Sequence, residues 1–248
     1  MKVHHFLTPL QYVVTLFLFV EVAAFTGAAA FPGVWLWLAV RDRWGSGDAM
    51  HVLLLTMVAA LGYFIYGVSL IVVLPIARWL TLSLGTPLGR YPYFSFRGYQ
   101  WASYNALTLV MRFSFMNWIR ATPFLPLFHR LMGMRIGSRV QINTAVIADQ
   151  NLISIGDDTV VGGDVTLVAH SVERSYLVTA PVKIGKRVTI GLMAVIMPGC
   201  EIGDDAVIAA NAVLKKGTKI GPNEIWGGVP AQRVGSRDGH RKVDVVTN

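Results

Sequence analysis

From residue 184 to 231 the chain repeats in sixes: IGKRVT, IGLMAV, IMPGCE, IGDDAV, IAANAV, LKKGTK, IGPNEI, WGGVPA. The first position holds Ile184, Ile190, Ile196, Ile202, Ile208, Leu214, Ile220 and Trp226. The fifth is mostly small, as at Ala194, Cys200, Ala206 and Ala212. A period of six fits neither the 3.6 of a helix nor the 2 of an ordinary strand. It fits a parallel β-helix in which each hexad is one short side of a triangular coil. The aliphatic side chain points into the prism, the small one packs near the corner, and the frequent Gly at position two eases the turn. Looser hexads begin at Ile136 and run through IGDDTV and VGGDVT, with a one-residue slip at 148–152. They break at Glu173, where a ten-residue loop, ERSYLVTAPV, precedes the strict period. The all-β prism therefore covers 135–234, about five coils stacked at about 4.8 Å.

The other half is of a different kind. The chain is 54% hydrophobic and carries a formal charge of +8. Before Gly133 the only acidic residues are Glu21, Asp42 and Asp48. Lys and Arg flank apolar runs, which points to anionic lipid headgroups and away from nucleic acid. Roughly 20 apolar residues cross a bilayer core, so residues 1–90 are assigned to transmembrane helices. One span covers about Pro9 to Ala30, a break at Pro32 leads to an interfacial piece with Trp35 and Trp37, and a second span covers about Val52 to Pro75. A three-span arrangement remains open. Glu21 inside a span marks a functional site or pairs with a neighbouring helix; the pairing is preferred. Lys2, Arg78, Arg90 and Arg97 outweigh Arg41 and Arg43, which places both termini in the cytoplasm. Residues 91–134 alternate aromatics with Arg97, Arg112, Arg120 and Arg130, the composition of amphipathic helices lying in the headgroup layer. Residues 235–248 form a basic tail, expected to be mobile. Cys200 is the only cysteine and sits in a small slot, so it reads as packing.

The stretch AHSVERSYLVTAPVKIGKRVTIGLMAVIMPGCEIGDDAVIAANAVLKKGTKIGPNEIWGGVPAQRV resembles the left-handed β-helix acyltransferases with hexapeptide repeats, of the maltose and galactoside acetyltransferase type. A looser likeness, through GRYPYFSFRGYQW and TPFLPLFHRLMGMRIG, is to the membrane-attached region ending polylysine-synthetase-like peptide synthetases. This resemblance implies left-handed coils, a homotrimer with sites between prisms, and acetyl-CoA or another acyl-CoA as co-substrate with no tightly bound cofactor. It implies His170 as the catalytic base, taking a proton from the acceptor. Glu173 either orients that ring or pairs with Arg174. The amide of Leu192 matches the oxyanion donor. Ala210 matches the coil that touches the pantetheine arm, and Lys215, Lys216 and Arg233 match donor phosphate contacts. Asn143, with Asp149 and Arg174 as weaker candidates, falls near the acceptor. No metal is implied, because a metal-binding β-helix needs three His and the repeats hold one.

The expected function is acyl transfer, from acyl-CoA to a hydroxyl or amine of a hydrophobic or lipid-linked acceptor. The expected location is a bacterial-type inner membrane, with the prism facing the cytoplasm. A carrier-protein thioester as donor, and a catalytically silent trimeric membrane scaffold, are the alternatives.

Overall fold

A computed structural model describes residues 4–43, 48–81 and 83–237. Two long helices lead: α1 (His4–Arg41) and α2 (Ala49–Leu80), packed as a hairpin. Both are long and apolar enough to cross a membrane. Asp48 caps α2, accepting from the His51 amide at 2.6 Å. The break expected at Pro32 is absent, and α1 runs through Trp35 and Trp37 to Arg41. Gly33 serves the helix crossing instead: a Cβ there would lie 2.8 Å from the Gly62 carbonyl oxygen of α2. Small residues at such a crossing let two backbones approach. Glu21 takes the paired reading. Its carboxylate accepts from Ser103 Oγ at 2.6 Å and Tyr99 OH at 3.4 Å.

The collar comprises β1 (Gly89–Pro92), α3 (Phe96–Ser114), a 3-10 turn at Met116–Ile119 and α4 (Phe124–Leu131). Tyr104, Leu107, Met111, Leu125 and Phe128 are fully buried, in one core continuous with the prism floor at Val140 and Ile142. At about 1.5–3 kcal/mol per buried large apolar side chain, this contact joins the two halves firmly. Leu109, Phe113 and Trp118 stay exposed and continue the apolar surface of the helices. Two of the four collar arginines do not reach outward. Arg120 binds Asn143 and Asp164, and Arg130 donates to the carbonyls of Ile136 and Gly137.

The prism has three faces of parallel strands. The first stacks β2 (Arg135–Ile136), β4 (Ile153–Ile155), β9 (Val182–Ile184), β12 (Glu201–Ile202) and β15 (Lys219–Ile220). The second stacks β3 (Gln141–Ile142), β5 (Val160–Val161), β10 (Thr189–Ile190), β13 (Val207–Ile208) and β16 (Glu224–Gly228). The third stacks β6 (Thr166–Leu167), β11 (Val195–Ile196) and β14 (Val213–Leu214), with Ile147 bridging below Leu167. Register is one hexad per side, so Ile190 lies over Val161 and under Ile208. Corners turn through left-handed residues such as Asp158, Asp205 and Asn223, whose short polar side chains tolerate positive φ, and also through Arg187. The hexad glycines serve another purpose than the one expected. A Cβ on Gly185 would meet the Asp204 amide nitrogen at 2.8 Å, so Gly there permits coil-on-coil stacking.

The loop expected at 173–182 is a β-hairpin, β7 (His170–Glu173) and β8 (Tyr176–Thr179). β1 adds to it as a third antiparallel strand. At the top, β17 (Ala231–Ser236) folds back on β16. The proposed tail thus begins as ordered strand; its residues 238–248, like Lys2, lie outside the described part.

Candidate active site

The slip at 148–152 and the hairpin together build one polar cluster. Asp149 sits in a left-handed conformation (φ 60°) ahead of a 3-10 turn, Gln150–Leu152. This places a carboxylate inside the protein, wholly buried. An unpaired buried charge is costly, and here every lone pair finds a donor. Oδ1 accepts from Thr86 Oγ1 (2.7 Å), Trp101 Nε1 (3.1 Å) and Asn105 Nδ2 (3.2 Å). Oδ2 accepts from the Ala169 amide (3.1 Å) and from His170 Nδ1 at 2.5 Å. Burial works to raise this carboxyl. The hydrogen bond and charge of His170, with Thr86 and Asn105, outweigh it and hold the pKa below the usual range.

His170 opens β7, with its side chain 23% exposed. Trp101 packs edge-on against the ring, centroids 5.0 Å apart at 70°. A carboxylate on Nδ1 fixes that nitrogen as the N–H, so Nε2 carries the lone pair. The Thr86–Gly89 segment is pinned beside it: the Thr86 amide donates to Asn151 Oδ1, and Thr179 Oγ1 donates to the Pro87 carbonyl.

The ring's partner is therefore Asp149 and not Glu173, which corrects the expectation for both. Glu173 lies three residues along β7, on the opposite face of the strand. Its carboxylate accepts from Lys216 Nζ at 2.8 Å, which lowers its pKa. Arg174 occupies the exposed hairpin tip in a left-handed conformation, beyond Glu173 and away from the ring.

The remaining candidates divide between corners. His170, Lys215 and Lys216 share the corner where the third face turns into the first. Asn143, Leu192 and Ala210 share another, where the second face turns into the third. At that corner the amides of Gly191 and Met193 donate to the carbonyls of Ile208 and Gly163, while that of Leu192 has no backbone acceptor among the described residues. The Leu192 side chain is 56% exposed. Asn143 is held by Arg120, which donates to its Oδ1 (3.1 Å) and carbonyl (2.8 Å). Arg233 lies on β17 and pairs with Glu224 at 3.3 Å. Within one chain, then, the imidazole and the free Leu192 amide stand at different corners. Sequence reasoning missed Thr86, Trp101, Asn105 and the ring contact of Asp149. Only the break in period at 148–152 signalled that something other than a coil was built there.

Residues 181–216 match the family described as bacterial transferase hexapeptide (six repeats). Over 170 residues the chain is 27% identical to delta-poly-L-ornithine synthetase of Acinetobacter baumannii, covering 67% of this chain and 12% of that protein. It is 31% identical over 117 residues to "Putative acetyltransferase YvoF" of Bacillus subtilis, 44% of this chain and 68% of that one. It is 34% identical over 121 residues to galactoside O-acetyltransferase of Escherichia coli, 42% of this chain and 59% of that one. The stacked hexads and these matches agree: the chain belongs to the hexapeptide-repeat transferases, whose prism is the left-handed β-helix.

Proposed function

We propose that this chain is a membrane-attached acyltransferase. It moves an acyl group, acetyl in the simplest case, from acyl-CoA to a hydroxyl or amine of a hydrophobic or lipid-linked acceptor. The observation that carries this reading is the pairing of buried Asp149 with the partly exposed His170, which leaves Nε2 as the base. Nε2 removes the acceptor's proton as the acceptor oxygen or nitrogen attacks the thioester carbon. The Leu192 N–H steadies the oxyanion that forms on the thioester oxygen. Collapse breaks the C–S bond, and the imidazolium returns its proton to the departing thiolate. Asp149, charged throughout, stabilises the imidazolium between the two proton transfers.

The separation of His170 from Leu192 supports a homotrimer, in which the imidazole corner of one copy meets the amide corner of the next. Exposed Leu192 and Met193 on one side and Val172 and Tyr176 on the other give that contact an apolar character. Ala210, Lys215, Lys216 and Arg233 are assigned to the acyl-CoA donor. The relatives named as acetyltransferases support the reaction class. The two apolar helices support the attachment to a bilayer, and the charge distribution an inner membrane with the prism on the cytoplasmic side.

Incubating membrane extract with labelled acetyl-CoA and either wild type or His170→Ala tests the reading. Loss of about 10²–10⁴-fold in transferred label is expected. Equal incorporation by both proteins removes His170 from the chemistry.

A further inference from the structure

Outside the Asp149 cluster, a groove of about 410 Å³ runs between α1 and the start of α3. Its lining includes Val14 and Leu18 on one wall and Tyr93, Phe94, Gly98 and Ala102 on the other. The volume falls within the range that small-molecule sites occupy. Three observations say what fits it. The walls are mostly apolar, with polar groups at Gln11, Thr15, Ser95 and Tyr99 as accents. One wall belongs to a helix of membrane-crossing length whose outer side exposes Val13, Phe17 and Val20. An unbroken line of aromatic contacts runs from the groove to the base: Tyr93 meets Trp101 at 5.8 Å, and Trp101 meets His170 at 5.0 Å.

We propose that this groove binds the apolar chain of the acceptor, admitted from the bilayer along α1, and so selects acceptors bearing an alkyl or isoprenoid chain. The inference rests on the acyltransferase reading and names where its acceptor is held. The chain lies along α1, and Trp101 forms the partition between it and the reacting head. The Tyr93 amide, donating to the Ser175 carbonyl of the hairpin turn, ties this wall to the strand that carries His170.

The full-length protein in phosphatidylcholine nanodiscs is photolabelled with hexadecanol bearing a terminal diazirine, and labelled positions are mapped by mass spectrometry. Labelling that concentrates at Val14, Thr15, Leu18 and 93–102, and that excess unlabelled hexadecanol removes, is expected. Thr15→Trp, on the exposed wall, and Ala102→Trp each fill the groove and cut that labelling about tenfold or more. Phe19→Ala, outside the lining, leaves it unchanged. Labelling spread evenly over Phe17, Phe19, Val52 and Leu53, and indifferent to Thr15→Trp, overturns the proposal. Acetyl transfer measured on the same discs separates the two readings. If transfer is absent while the groove still labels, the acyltransferase reading falls and the lipid groove stands.

Discussion

The upper coils of the prism, from Val182 upward, keep strict time; the lower ones, from Arg135 to Glu173, do not. Above, strands on each face recur every eighteen residues, as at Ile184, Ile202 and Ile220. Each side chain there has one of two destinations, the dry interior or the surface. Surface charges pair between neighbouring coils, as in Arg187 with Asp205 and Lys183 with Glu201. Below, the count fails twice. The first failure turns Asp149 inward, and the second launches the hairpin that begins with His170. A repeating coil has no slot for a buried carboxylate. Only a departure from the repeat creates one, and residues from outside the prism, namely Thr86, Trp101 and Asn105, join the Ala169 amide and His170 in satisfying it. Regularity builds the prism wall, and irregularity builds the buried polar cluster.

That contrast can be broken by substitutions that keep shape. Asp149→Asn preserves volume and removes the charge, and acyl transfer is expected to fall about 10²–10⁴-fold with circular dichroism unchanged. If activity per folded molecule survives, the lower coils are scaffold like the upper ones. Next in size is Ile190→Ala in the strict region, where the side chain is 1% exposed. Loss of about 2–5 kcal/mol is expected, read as a lower thermal midpoint in detergent with activity per folded molecule retained.

A third test uses pH. The Asp149 carboxyl is lower in the folded protein than in the unfolded chain. Its stabilisation is therefore complete above the unfolded value, about 3.9, and is lost as pH falls through the folded one. Melting temperature should drop more steeply below about pH 4 in wild type than in Asp149→Asn. Parallel curves would mean that the carboxyl is not tuned by its neighbours. The smallest effect is expected from Glu173→Gln. Its ion pair with Lys216 is exposed, and such pairs contribute little. Activity and melting temperature should stay near wild type. A loss like that of Asp149→Asn would return the orienting role to Glu173.

The hexads from Ile184 onward revealed the prism because aliphatic residues at a fixed spacing leave the chain few alternatives. The two apolar stretches revealed the helices for a similar reason. Pro32-Gly33 misled, because the same pair that ends a helix in water is accommodated where Gly33 lets α1 settle on Gly62. Glu173 misled in another way. Nearness in sequence to His170 suggested contact, but alternation along β7 points the two side chains apart. The Asp149 cluster draws on positions 86, 101, 105, 149, 169 and 170. Contacts across such separations leave no local pattern to read.

The pairing of β1 with β8 has a consequence for how this protein can be divided. The segment that follows the second long helix is woven into the sheet that presents the imidazole, register for register from Gly89 opposite Thr179 to Pro92 opposite Tyr176. The long helices and the coils are therefore not detachable modules. Cutting the chain between collar and coils would leave a raw sheet edge and strip the Asp149 carboxylate of the donors Thr86, Trp101 and Asn105.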